Sequence, residues 1–163
     1  MVLSEISSRR NWQPREQRLL SEFLAKEYPT TPYVTRIRLG SVRPELITES
    51  LEPAERKMLY VTKRWADAII LLKGKTILIE AAIRSDPGDI SKLELYKKLF
   101  YETPELADRT NMPLDLMLVY AIEDPVVIEL ARDKGIRCVP FRPPWISDYL
   151  KLLAPRERRA PRP

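Results

Sequence analysis

Two apolar runs decide the fold: Trp65–Leu72 (WADAIILL) and Thr76–Ile83 (TILIEAAI), separated by Lys73-Gly74-Lys75. Each has the length of a strand, and a glycine-containing turn joins them, so they read as a β-hairpin. Both are apolar on both faces, which places them in the middle of a sheet covered on each side. With Lys73-Gly74 as a two-residue loop and Gly74 supplying a positive φ, the register puts Asp67 directly opposite Glu80. Opposed residues of an antiparallel pair hold their Cβ atoms about 5 Å apart on one face, where like charges repel. Two carboxylates in an apolar hairpin then call for a cation between them. Mg²⁺ or Mn²⁺, held by one or two carboxylates with water and phosphate oxygens, is such a cation. A three-residue loop would instead turn Asp67 to the other face, and charges at strand ends can simply be solvated; register alone leaves these alternatives open.

Upstream, Pro14 followed by REQRLLSEFLAKEY reads as a helix with Leu19, Leu20, Phe23 and Leu24 in one apolar stripe, ended by Pro29 and Pro32. Tyr33–Leu39 (YVTRIRL) alternates as a strand with Arg36 and Arg38 on one face, and Gly40 closes it. A short helix is expected near Pro53–Leu59. Downstream, Asp86-Pro87-Gly88-Asp89 is a turn with Asp89 as N-cap of a helix whose apolar face is Ile90, Leu93, Tyr96, Leu99 and Phe100. Leu114–Ile122 is a buried strand, Asp124-Pro125 opens a helix through Arg132 that Gly135 stops, Ile136–Phe141 is a short strand, and Trp145–Leu153 is a last helix. The order predicts an α/β fold, a central mixed sheet with helices on both faces. One domain is expected over 13–153, with a flexible lead at 1–12 and a Pro/Arg-rich tail, too poor in apolar residues to fold, at 154–163.

Composition restricts the chemistry. Among 163 residues there is no histidine, and Cys138 is the single cysteine. Imidazole-dependent hydrolysis, histidine-ligated zinc, disulfides and cysteine-cluster metal sites are thereby excluded, and any metal is held by oxygen. The net charge is +5, of which the tail APRERRAPRP, with four arginines and one glutamate, supplies +3. This permits a nucleic-acid partner without requiring one. No apolar run approaches the length of a membrane span, and the N-terminus turns polar too soon for a secretory signal. A cytoplasmic chain is expected, or a virion-associated one if phage-encoded.

Arg64-Trp65-Ala66-Asp67, the apolar strand, the tight turn, Ile79-Glu80 and then Lys92-Leu93-Glu94-Leu95-Tyr96 on the following helix resemble the PD-(D/E)XK, or restriction endonuclease-like, nuclease superfamily. By element order the resemblance covers about 14–150; its specific part is Arg64–Tyr96. It implies that Asp67 and Glu80 hold Mg²⁺ (or Mn²⁺) with the Ala81 carbonyl as third protein ligand. The superfamily's lysine, two residues after the glutamate, is here Ala82. Two residues are candidates to compensate. Arg84 shares the strand face of Glu80 and Ala82 and can stabilise phosphate charge, though it cannot act as a base. Lys92 borders the helix's apolar stripe beside Tyr96, within reach of the carboxylates, and relocation of the lysine to this helix resembles a variation within the superfamily. Glu16 and Glu22 on the first helix are candidates for an extra ligand. Phosphodiester hydrolysis needs an aligned water and positive charge where negative charge develops, and a metal on Asp67 and Glu80 supplies both without histidine. Arg36, Arg38, Arg43, Lys63 and Arg64 are the expected contacts to the DNA backbone. The resemblance therefore implies a Mg²⁺-dependent DNA endonuclease, acting as a homodimer or inside a larger assembly. The alternatives are a nuclease-fold protein without chemistry that binds DNA ends, as in a phage head-completion or virion-connector assembly, and a structural subunit with no nucleic-acid role.

Overall fold

The computed structural model describes residues 14–41, 52–54 and 64–154. Helix α1 (Pro14–Glu27) starts on a proline, which suits a first helical turn, and leads to the edge strand β1 (Tyr33–Leu39). The hairpin follows as β2 (Arg64–Leu71) and β3 (Thr76–Arg84). Helix α2 (Pro87–Tyr101) and a 3₁₀ turn (Pro104–Arg109) carry the chain across to β4 (Leu114–Ile122). Helix α3 (Pro125–Asp133), β5 (Arg137–Pro140) and α4 (Trp145–Leu153) complete an α/β fold. The expected helix at 53–59 falls mostly outside the described residues, as do 1–13 and 155–163. No described helix is long and apolar enough to cross a membrane.

The sheet runs β1-β2-β3-β4-β5, antiparallel through β3 and parallel from β3 to β5. Strand β3 lies in its centre, and its first eight residues are all buried, as a strand covered on both faces must be. Ile77, Ile79 and Ala81 pack with Leu20, Phe23 and Leu24 of α1. Leu78 faces the other way, among Leu93 and Phe100 of α2 and Val127 and Ile128 of α3. Helices therefore cover both faces. Helix α4 joins the α1 side, where Ile146 meets Leu19 and the Trp145 indole N–H donates to Glu22 Oε2 at 2.8 Å.

Leu71 pairs with Thr76 and Ala68 with Ile79, the register that sets Asp67 opposite Glu80. The turn differs from the sequence reading in two respects: Gly74 is not in the left-handed region, and the ladder ends at Leu71–Thr76, so that four residues and not two join the strands. Lys73 and Gly74 form a bend, and the ladder closes at Leu71 and Thr76 without a positive φ. Gly135, at φ +71°, does end α3 in the expected way.

Helix α2 begins three residues earlier than expected. Its N-cap is Asp86, not Asp89, because Pro87 supplies a preformed first turn and frees the Asp86 carboxylate to accept from the Gly88 N–H at 2.6 Å. Asp89 is the third residue of a capping box, and its Oδ2 accepts from the Asp86 N–H at 2.9 Å. Asp86→Ala should cost about 1 kcal/mol, a few degrees in Tm by calorimetry. An unchanged melting curve would show that the cap contributes nothing.

Candidate active site

Past Ala68 and Ile79 the ladder between β2 and β3 opens. Beyond it the Ala81 N–H of β3 donates to Asp67 Oδ2 at 2.9 Å, and the Ile83 N–H acts electrostatically on the Glu16 carboxyl. The N–H and C=O of one strand residue leave toward the same edge, so the Ala81 carbonyl opens into this gap. The distortion extends to β1, where both strands skip one position between Thr35–Ala68 and Ile37–Ala66. The skipped residues are Arg36 and Asp67, and Arg36 takes φ +52°. That conformation costs a non-glycine residue about 1 kcal/mol or more, and such strain clusters at functional sites. Its consequence is a change of face: Ala66 belongs to the core under α2 and Ala68 to the core under α1. Asp67, between them, is aimed at the opening.

Glu80 is only 4% exposed and lies in hydrogen-bonding reach of Asp67. Lys92 reaches down from α2 and donates to Glu80 Oε1 at 2.7 Å and to Asp89 Oδ1 at 3.1 Å. The capping box that starts α2 thus also fixes the partner that holds Lys92. A cleft of ≈ 390 Å³ between α1 and the β1–β2 edge contains Glu16, Asp67 and Lys92, with Arg36 and Trp65 in its wall.

The charges of Asp67 and Asp89 act on both Glu16 and Glu80, and Lys92 is a cation that Glu16, Asp67 and Glu80 all feel. Burial and then Asp67 push the Glu80 carboxyl up to about 8. Burial, Asp67 and Asp89 push Glu16 up to about 7. Asp67 is raised by burial despite the Ala81 hydrogen bond. Burial alone would lower Lys92, but its bonds and charge interactions with Glu80 and Asp89 outweigh that and raise it. A protonated Glu80 and an ammonium held by its charge do not coexist fully. The two are reconciled when Lys92 keeps its charge, held also by Asp89, while a retained proton is shared between the Glu80 and Asp67 carboxyls. Tyr96, buried beneath them, is likewise held protonated by burial and the Glu80 and Asp67 charges.

Glu80 Oε2 is buried and accepts from no N–H or hydroxyl, leaving it only a proton shared with Asp67 or a bound cation as partner. No group of three or more His, Cys, Asp or Glu side chains among the described residues forms a closed metal cage. Two carboxylates and a backbone carbonyl, the set that the sequence resemblance implies, would make an open site of the kind Mg²⁺ takes with water and phosphate.

The other expected site residues are less uniformly placed. Arg84 is not in the cluster: at the end of β3 its guanidinium is 68% exposed and turns to the α3 N-cap, 3.7 Å from Asp124. Glu22 lies away from the acids, held by Trp145 and by Arg18 at 3.0 Å. Arg36 and Arg38 both sit against the Trp65 ring, at 5.8 and 4.9 Å from its centroid. Arg43 and Lys63 lie outside the described residues, as does the side chain of Arg64. Asp89 and Trp65 were not legible as site residues; the helix-start motif could have marked Asp89, and nothing in the sequence marks Trp65.

No protein-family model and no curated protein matches this sequence. Among solved structures, the chain is similar to a repair endonuclease from Pyrococcus abyssi, with 12% identity and a TM-score of 0.49 over 83% of this chain and 49% of that one. A protein of unknown function is similar over 75% of this chain and 56% of its own, with 10% identity and a TM-score of 0.43. A Vibrio cholerae protein is similar over 84% and 30%, with 14% identity and a TM-score of 0.42. This chain thus spans about half of the first protein's length and less than a third of the last.

Proposed function

We propose that this chain is a PD-(D/E)XK-like, Mg²⁺- or Mn²⁺-dependent deoxyribonuclease with Asp67, Glu80 and the Ala81 carbonyl as metal ligands and Lys92 as the catalytic lysine. The observation that carries the reading is the 2.7 Å contact of Lys92 with Glu80. It sets an ammonium from α2 against the second acid, in the neighbourhood that a lysine at Ala82 would have served. The metal, when bound, supplies Lewis-acid polarisation of the phosphate and lowers the pKa of a bound water. The chain's own residues do the rest. Asp67 is fixed by the Ala81 N–H and Glu80 by Lys92, so neither has to be ordered when substrate arrives. Lys92 is half exposed, with donors left over for a phosphate oxygen or the attacking water. Its raised pKa makes it a donor and charge stabiliser, not a base. Glu16 borders the same cleft and is an additional acceptor for that water.

The test is cleavage of plasmid and short duplex or single-stranded DNA in Mg²⁺ or Mn²⁺ against an EDTA control. Metal-dependent product, lost in EDTA, is expected. Salt-sensitive binding without cleavage in any metal would reject the nuclease and leave a DNA-binding protein of nuclease-like fold, the reading that Ala82 by itself favours.

A further inference from the structure

Trp65 is a large aromatic that the fold leaves 49% exposed on β2, two residues before Asp67. Two strand residues span roughly 7 Å. The indole therefore borders the carboxylate cleft at about the distance of one nucleotide. Arg38 is its cross-strand partner, and the Arg36 and Arg38 guanidiniums approach its ring to 5.8 and 4.9 Å. Arg36 holds φ +52° opposite Asp67, a conformation that glycine would accept more easily, and its side chain lines the cleft. An exposed aromatic ring with guanidiniums lying over it, next to a carboxylate cleft, matches how proteins take up single-stranded DNA: a base displaces a guanidinium to stack on the ring, and the arginines follow the backbone. A base inside an intact duplex is stacked on its neighbours and does not offer this face.

We propose that Trp65, with Arg36 and Arg38, is a stacking platform for an unpaired base, so that the substrate is single-stranded DNA or a frayed strand end. The substrate assignment rests on the nuclease reading; the platform is tested by binding alone. Anisotropy of a labelled oligothymidylate and of a blunt duplex of equal length, in EDTA, measures the affinity of the full chain and of Trp65→Ala, Trp65→Phe and Arg36→Gly. Trp65→Ala should weaken single-strand binding ~10- to 100-fold and duplex binding little, while Trp65→Phe stays within a few-fold of wild type. Arg36→Gly should lose single-strand affinity while melting no lower than wild type, which separates a contact from a structural role. Equal losses on both DNAs, no loss on either, or a wild type that does not bind the single strand would each overturn the platform. Adding Mn²⁺ separates the two ideas. A protein that stacks bases on Trp65 but releases no product removes the nuclease and leaves the platform. Cleavage of both DNAs at rates unchanged in Trp65→Ala does the reverse.

Discussion

Lys92→Ala should lower metal-dependent DNA cleavage by about 10²- to 10³-fold, measured as single-turnover product formation at saturating protein. The magnitude follows from removing one preorganised positive group that meets developing charge beside buried carboxylates. The same substitution leaves Glu80 and Asp89, both buried, without their cation, so some stability is lost as well. A second variant keeps the two effects apart. Ala82 is 3% exposed and two residues beyond Glu80 on β3, so Ala82→Lys in the Lys92→Ala background returns an ammonium to the same acids from the strand instead of the helix. Recovery of cleavage by at least tenfold in the double variant is expected. Wild-type rates in Lys92→Ala at full metal occupancy would show that the ammonium only balances charge.

The site was legible in the sequence to the extent that strand periodicity reached it. Hydrophobic runs on both sides of a short loop fix a register, and register alone aligned Asp67 with Glu80 whatever the dihedral angles of the turn; Gly74 shows that the two are separable. Lys92 was legible because helical spacing sets it on the edge of a stripe facing the sheet. What escaped is what depends on backbone irregularity. The skipped position at Arg36 and Asp67 switches the face of β2, and no alternation pattern encodes a switch. That switch takes Trp65 from an ordinary sheet residue to the wall of the cleft. Asp89 was misplaced for a related reason: two aspartates three residues apart both make good caps, and only Pro87, which starts the helix after Asp86, decides between them. Arg84 shows the limit of face arguments, since sharing a strand face with Glu80 did not stop its long side chain from turning to Asp124.

Without metal, the protein should become less stable as pH rises from about 5 to about 8.5, and millimolar Mn²⁺ should restore what is lost. Glu80 titrates near 8 and Glu16 near 7 in the folded chain, against 4.5 in an unfolded one. Between these limits the folded state binds more protons than the unfolded state, so unfolding becomes easier with increasing pH. Well below 4.5 both states are protonated and the effect is flat; at 8 Glu80 is half ionised, and the loss is complete only well above that. Glu80 is buried and Glu16 partly exposed, so most of the effect belongs to Glu80, on the order of 2 kcal/mol and about 5 °C in Tm. A divalent cation reverses the sign. It binds the ionised carboxylates of the folded state, releases the retained proton and stabilises most where the free protein is weakest. Glu80→Gln, which carries no charge at any pH, should melt at a nearly constant temperature over the window, above wild type at pH 8.5, and should respond far less to Mn²⁺. Thermal melts of both proteins at pH 5.5, 7 and 8.5, with and without the ion, decide the matter. A wild-type Tm that rises with pH, or one that Mn²⁺ shifts equally in Glu80→Gln, would mean that the acids are not a crowded, cation-seeking cluster.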